Sequence, residues 1–559
     1  MDAAADTFRI GLAMAGAASA GAYTAGALDV LFEALDTWYD AKDRGDDVPR
    51  HKVSLEVASG ASAGAMCAAL LAIAAPYDFP HARLNAQREP NAEALRNPFY
   101  RAWVEDIGIA PMLDTGDLAG GGMPSLLNSD VIERIVTESL GYSARRRERP
   151  YIARPLVTRF TLGNLRGVPY HVTYRGLKPA SDVMRAHSDY QGFLVGGAAP
   201  AELPPHLWGH PAVCPETASG GSAAWQRLGE AAVASGAFPA FLRAKKLSRP
   251  GDDYSRREFG DASAPEGEPR SVCVQPAWKN DTVPSQYDYV SIDGGMFNNE
   301  PFALAREVVA GGYGRSNPRQ GSAADGAVVM IAPFVSRPGD GEEPAPEPWH
   351  NLLMPLFYSF IAQCRFSPAD LALAQDESIY SRFLIAPVDS AAPQASPYWI
   401  ASGPLQGFFG FFHREFRKHD YQLGRRNCQR FLREDFRLPA DNPIVANGYA
   451  PVSAQQRAAW TDAKGELPII PLLGPLQQEE PLCDWPAGQF RVDDVMDAVE
   501  ARVDAVVRYY REAAAASAGG WLARQGARAC LSAGWLALRP QVIGSLRQNI
   551  EGARRAQLL

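Results

Sequence analysis

Residues 53–75 read VSLEVASGASAGAMCAALLAIAA. An apolar, β-branched run enters a GASAG turn and an alanine-rich stretch follows, so the segment predicts strand, sharp turn and helix in that order. A turn of this kind lifts its central serine out of the sheet, and only glycine tolerates the crowding around it. Ser62 is therefore the candidate nucleophile, flanked by Gly60 and Gly64. The helix that starts after it points unpaired N–H groups and its positive dipole end toward the serine, where an oxyanion forms during acyl transfer. Taken alone, GxSxG equally describes a small-residue turn packed beneath a helix.

The alternation continues outward from this segment. A strand is expected over 8–14, a helix from 21 to about 42, then the strand into Ser62, which together imply a parallel sheet with right-handed crossovers and functional groups at the carboxyl ends of its strands. Further on, residues 287–301 read YDYVSIDGGMFNNEP, where a strand delivers Asp293 into a Gly294/Gly295 turn. Asp293 is expected at such a carboxyl end too, although aspartate before Gly-Gly is also ordinary turn chemistry. Residues 76–142 read as an insertion without strand signal, with Asp130 and Glu133 as a capping pair for a short helix. Residues 157–174 read as a hairpin, 196–221 as a glycine- and proline-rich surface flap, 327–334 and 383–388 as strands, and 337–348 (RPGDGEEPAPEP) as a linker-like loop. Beyond about 391 helix signals dominate, and Val492, Val495, Val499, Val503, Val506 and Tyr510 define one apolar face. The expected fold is α/β, with a three-layer core and a mainly parallel sheet over 1–390 and a mainly helical region over 391–559.

The GASAG elbow, the DGG turn, the small-residue segment ASGAFP at 234–239, and Asn298, Asn299 and Pro301 together resemble the patatin-like phospholipase family over about the first 335 residues. That resemblance implies a lipid acyl hydrolase that works through a Ser62/Asp293 dyad without histidine, forms an acyl-serine, and needs neither cofactor nor metal. Lipid or another acyl ester is the substrate it implies, phospholipid or neutral glyceride. It also implies an oxyanion hole in the loop after the first strand, where residues 8–23 read FRIGLAMAGAASAGAY. Gly16, Gly21, Ala22 and Tyr23 match the family pattern, but Ala17, Ala18 and Ala20 stand where two glycines and an arginine are expected. The donors are backbone N–H groups, so Gly16, Ala17 and Ala18 still suffice for the hole if their φ angles stay negative. Loss of the arginine favours a neutral ester over an anionic phospholipid unless another cation, such as Arg425 or Arg426, reaches the site. Ser19 echoes the local sequence of Ser62 and is expected instead to cap the helix that begins near Gly21.

Three rival readings share these residues. The order serine, acid, histidine also suits a triad completed by His350, His413 or His419. An acyltransferase of related architecture, or a lipid-binding scaffold whose altered loop has lost turnover, uses the same features.

At 559 residues the chain can bury a large core and is expected to form at least two domains. A net charge of −8 argues against nucleic acid as a main partner. The seven cysteines show no metal-binding spacing and no complete disulfide framework, which suits a reducing, cytoplasmic setting. No basic leader precedes the first apolar run and no stretch of about 18 apolar residues occurs, so neither signal peptide nor transmembrane helix is expected. Peripheral membrane contact is conceivable at 352–360 (LLMPLFYSF) and at 407–433, where aromatic residues adjoin cations. Burial of those aromatics is the stronger expectation.

Overall fold

The structure is a computed structural model that describes residues 6–558 apart from 86, 120–121, 173–181, 198–211, 219–220, 261–270, 314, 335–358, 360–361, 364–377, 390–391, 393–397 and 518–519. Most of the expected flap, the loop at 337–348, most of the apolar block at 352–360, and His350 lie outside the described residues.

One nine-stranded sheet organises the molecule. Its strands are β1 (Thr7–Met14), β2 (Lys52–Gly60), β3 (Ile152–Val172), β4 (Asp182–Val195), β5 (Ala212–Cys214), β6 (Lys245–Arg249), β7 (Tyr287–Asp293), β8 (Gly326–Ile331) and β9 (Arg382–Ile385). The order is β9-β8-β1-β2-β3-β4-β5, with β7 pairing to β3 and β6. The run β9, β8, β1, β2 and β3 is parallel throughout. Every residue of β8 is buried, the pattern of a strand covered on both faces.

Helices of eight residues or more are α1 (Gly21–Arg44), α2 (Ala63–Ala74), α3 (Asp130–Leu140), α4 (Ala223–Ser235), α5 (Phe302–Val309), α6 (Arg414–Glu434), α7 (Asp493–Ala516) and α8 (Trp521–Leu558). On one side of the sheet Phe8, Ile10, Leu12 and Leu55 pack with α1, α2 and α6. On the other, Ala13, Val57, Val157 and Val328 meet Ala305, Val308 and Val309 of α5. The result is the expected three-layer α/β core with a mainly parallel sheet and a helical carboxyl-terminal region.

Several local expectations are corrected. The described part of the segment at 157–174, residues 157–172, is not a hairpin but part of one long strand, β3, whose antiparallel partner is β4. The glycines at 163 and 167 mark a register shift within that strand rather than a reversal. β7 is not one of the parallel strands: it runs antiparallel to β3, with Leu162 opposite Asp293. It thereby brings Asp293 to the carboxyl end of β2 from the opposite direction. Asp130 and Glu133 sit in the first turn of α3 and pair with Arg243 and Lys245 rather than forming a capping box. The valine face of α7 is buried at Val495 and Val499, just after the buried Val492, but Tyr510 is 58% exposed.

The region after 391 is joined to the core through α6, which crosses α1 at near backbone contact. A Cβ at Gly424 would lie 2.0 Å from the Tyr23 carbonyl oxygen, and one at Gly26 1.9 Å from that of Tyr421. Phe409 and Phe411 of the FFGFF segment at 408–412 are buried, and so is Phe416, as expected, but Phe412, also expected to be buried, is only half-buried, as is Phe408. Among the described residues no helix is long and apolar enough to cross a membrane.

Candidate active site

The turn between β2 and α2 holds Ser62 at φ 51° and ψ −121°, a conformation that costs a non-glycine residue on the order of 1–3 kcal/mol. Two neighbours make it possible by having no side chain. A Cβ on Gly60 would lie 2.3 Å from the carbonyl of Gly64, and one on Gly64 would lie 2.1 Å from the Met14 carbonyl oxygen. The amide of Ser62 donates to Ser235 Oγ at 2.9 Å. Ser235 is fully buried at the end of α4, so the strained turn is held from outside itself.

Asp293 ends β7 and faces the serine. Ser62 Oγ donates to Asp293 Oδ2 at 2.7 Å, while the Gly295 amide donates to Oδ1 at 2.7 Å. The carboxylate is 4% exposed. Burial pushes its pKa up to about 6, against the opposing pull of the bonds from Ser62 and Gly295. The Asp293 amide donates to the Ala237 carbonyl at 2.9 Å. The segment at 234–239 therefore grips both halves of the pair, taking the Ser62 amide on Ser235 and the Asp293 amide on Ala237. Its composition marks it in the sequence, but the two acceptors carry no signal of their own there, because they act through a fold contact.

The loop after β1 lies beside the serine: a Cβ on Gly16 would come within 3.1 Å of Ser62 Cβ. The Gly16 amide is used by the fold, donating to the Asn299 carbonyl at 3.1 Å. Asn299 returns a bond from its side chain to the Gly16 carbonyl at 3.4 Å. Ala18–Ala20 form a 3₁₀ turn, closed by Ala20 donating to the Ala17 carbonyl. The amides of Ala17 and Ala18 donate to no acceptor among the described residues, as befits the start of a helical turn. The expectation of negative φ fails at Ala18, whose φ is 45°. Ala18 thus holds a left-handed conformation that favours glycine, and its amide is still left without an acceptor among the described residues.

Ser19 does not cap α1. Its buried hydroxyl donates to the Gly407 carbonyl, tying the loop to the segment before α6. Of the three histidines that could complete a triad, the two that are described are engaged elsewhere: His413 caps α6 by accepting from the Glu415 amide. His419 is buried between Asp389 and Asp420, which outweigh burial and raise its pKa to about 9. Arg425 is also fully buried, bound to Asp29, Glu33 and Glu480, and Arg426 pairs with Glu479. The idea that Arg425 supplies a substrate cation is therefore overturned. No group of three or more His, Cys, Asp or Glu among the described residues could hold a metal ion.

What the arrangement can do chemically is narrow. A hydroxyl on a strained turn touches a buried carboxylate directly, and the amides of Ala17 and Ala18 in the neighbouring loop have no acceptor among the described residues. No family model matches the chain. The uncharacterized protein y4iI of Sinorhizobium fredii (strain NBRC 101917 / NGR234) is 35% identical over 565 residues, covering 91% of this chain and 76% of that protein.

Proposed function

We propose that this chain, which belongs to the family of the uncharacterized Sinorhizobium fredii protein, is a serine acyl hydrolase of the patatin-like kind. The observation that carries the reading is the direct 2.7 Å bond from Ser62 Oγ to Asp293 Oδ2 at a positive-φ elbow. A hydroxyl that bonds a carboxylate directly has its proton acceptor in place and needs no histidine between them.

In this mechanism Asp293 takes the Ser62 proton as Oγ attacks the carbonyl carbon of an acyl ester. The tetrahedral oxyanion accepts from the amides of Ala17 and Ala18. Collapse breaks the bond to the leaving alcohol, which receives the proton from Asp293, and leaves an acyl-serine. Water then attacks that ester while Asp293 again holds the proton, releasing a carboxylic acid and restoring Ser62. The raised pKa of Asp293 makes it a stronger base than an exposed carboxylate. Ala20 in place of the arginine, with Arg425 and Arg426 tied up elsewhere, favours a neutral acyl ester over a phospholipid. The six described cysteines are all free, which supports a reducing, cytoplasmic setting.

A fluorophosphonate probe tests the reading. The wild type is expected to carry the adduct on Ser62, Ser62→Ala to lose both labelling and ester hydrolysis, and Ser19→Ala to remain labelled. Labelling that persists in folded Ser62→Ala would overturn the assignment. Turnover of diacylglycerol and phosphatidylglycerol in matched micelles separates the substrate classes, and a strong preference for the phospholipid would contradict the neutral ester.

A further inference from the structure

The loop after β1 is gripped by a segment far along the chain. Ser19 Oγ, fully buried, donates to the Gly407 carbonyl, 388 positions away. A Cβ on Gly407 would lie 2.9 Å from the Ala17 carbonyl oxygen, so the two backbones meet directly. A Cβ on Gly410 would lie 2.3 Å from Ser19 Oγ, so this glycine leaves the hydroxyl its room. Ala18, at φ 45°, therefore stands between two held residues. Ala17 is fixed by Gly407 and by the 2.9 Å bond its carbonyl accepts from the Ala20 amide, and Ser19 by its hydroxyl.

The gripping segment is itself held in one position. Leu405, Gln406 and Gly407 follow one another at φ 53°, 55° and 88°, a run that persists only where the surroundings fix it. Helix α6 does the fixing. Asp420 accepts from the Ala401 and Ser402 amides at 2.8 and 3.0 Å, and Arg417 donates to the Gly410 carbonyl at 2.8 Å. Both side chains are buried. Between these anchors Phe408 packs on Phe238 and Phe241, with ring centroids 5.7 and 5.9 Å away, against the segment that holds Ser62 and Asp293.

We propose that Ser19 is a positioning residue for hydrolysis: residues 401–412 form a clasp that, through its hydroxyl, keeps Ala18 left-handed and the amides of Ala17 and Ala18 free for the oxyanion. The inference rests on the acyl-hydrolase reading above. Glycine adopts a positive φ unaided, whereas alanine is opposed by its own Cβ. Released from the clasp, Ala18 relaxes toward negative φ and its amide turns away from the reacting ester. Turnover thereby depends on a segment that lies beyond the patatin-like resemblance, which ends at about residue 335.

The test uses the full-length protein, with p-nitrophenyl butyrate for turnover, a fluorophosphonate for the labelling rate at Ser62, and circular dichroism to establish that each variant is folded. Ser19→Ala should lower kcat roughly tenfold while KM stays within about twofold, because the lost contact serves the oxyanion and not the bound ester. The probe should still label Ser62, but roughly tenfold more slowly. The midpoint of the pH profile should not move, because Asp293 is untouched. The decisive comparison is made in the Ala18→Gly background, where glycine holds the conformation without help. There, adding Ser19→Ala should cost at most about twofold. Gly410→Ala, whose methyl presses on Ser19 Oγ, provides a second route and should likewise lower kcat more with alanine at position 18 than with glycine. A folded Ser19→Ala with wild-type kcat, or an equal loss in both backgrounds, would overturn the clasp while leaving the Ser62 assignment intact. Absence of both labelling and turnover in the wild type would instead overturn the hydrolase reading and the clasp with it.

Discussion

Asp293 combines two demands that oppose each other, ionisation and burial. Its raised pKa means that the folded protein binds a proton more tightly than the unfolded chain, so this group favours folding less as pH rises from about 4 to about 6. Above that window the cost is complete. At about 1.4 kcal/mol for each pH unit, raising the pKa from 3.8 to about 6 costs about 3 kcal/mol at pH 7. Asp293→Asn should therefore abolish hydrolysis while stabilising the fold at pH 7 by up to about that amount, and the gain should vanish below about pH 4. Urea unfolding at pH 7 and pH 4, run beside an ester assay, checks both halves. For the wild type, kcat/KM should fall as pH drops through about 6, because only the ionised carboxylate can accept the serine's proton. Ser62 and Asp293 were both legible as residues from their glycine settings. Ser235 and Asn299 were not assigned, since a serine that accepts a distant amide looks in sequence like any other small helix residue.

At the scale of elements, the crossing of α1 and α6 is the tightest helix contact described above. Gly424→Ala places a methyl 2.0 Å from the Tyr23 carbonyl, against backbone that cannot swing away as a side chain would. The helices must separate, and the bond from Tyr23 Oη to Asn427 Oδ1 at 3.0 Å goes with them. We expect a loss of at least about 3 kcal/mol on chemical denaturation, in the range of severe overpacking. An alanine at Gly526 on α8, where nothing lies within 4 Å of the added Cβ, is the control and should be neutral or slightly stabilising. Elements were read well where apolar periodicity was strong, as in β1, β2, α1 and α2. Direction was not, because β7 shows the same alternation whether its neighbour runs with it or against it.

Across the whole molecule, buried charge joins the two ends of the chain. Arg425 of α6 meets Asp29 and Glu33 of α1 and Glu480, all nearly inaccessible, and His81 and Asn97 of the insertion close on the same Asp29. Burial opposes ionisation of Asp29, but Arg425 and His81 outweigh it and hold its carboxyl well below the ordinary range. A carboxyl so depressed contributes stability above its unfolded pKa, and that contribution is lost as pH falls through the folded value. Arg425→Met removes the cation shared by three buried carboxylates, of which Asp29 keeps His81 and Glu33 keeps Arg83, and should cost about 3–5 kcal/mol at pH 7. The deficit should shrink below about pH 4, where the less compensated carboxylates take up protons. By the same argument a fragment ending at 390, which lacks α6, leaves Asp29 and the α1 surface uncovered and should not fold cooperatively in a calorimetric scan.

Local chemistry determined what could be read before folding: glycines flanking a serine force an elbow, a continuous apolar run must be covered on both faces, and a helix follows where β-branched residues give way to alanine. These are short-range effects, so the sequence alone determined the α/β class and marked Ser62 and Asp293 as candidates, while their pairing was implied only by the family resemblance. Contacts between distant segments decided the rest. That β7 approaches β3 antiparallel, that residues 234–239 hold both Ser62 and Asp293, that Arg425 is a buried brace and not a substrate cation, and that Ser19 is tied to Gly407 depend on which surfaces meet in three dimensions. No spacing along the chain encodes such meetings, because each side chain keeps the same local preference whether its partner is a carboxylate, a carbonyl or water.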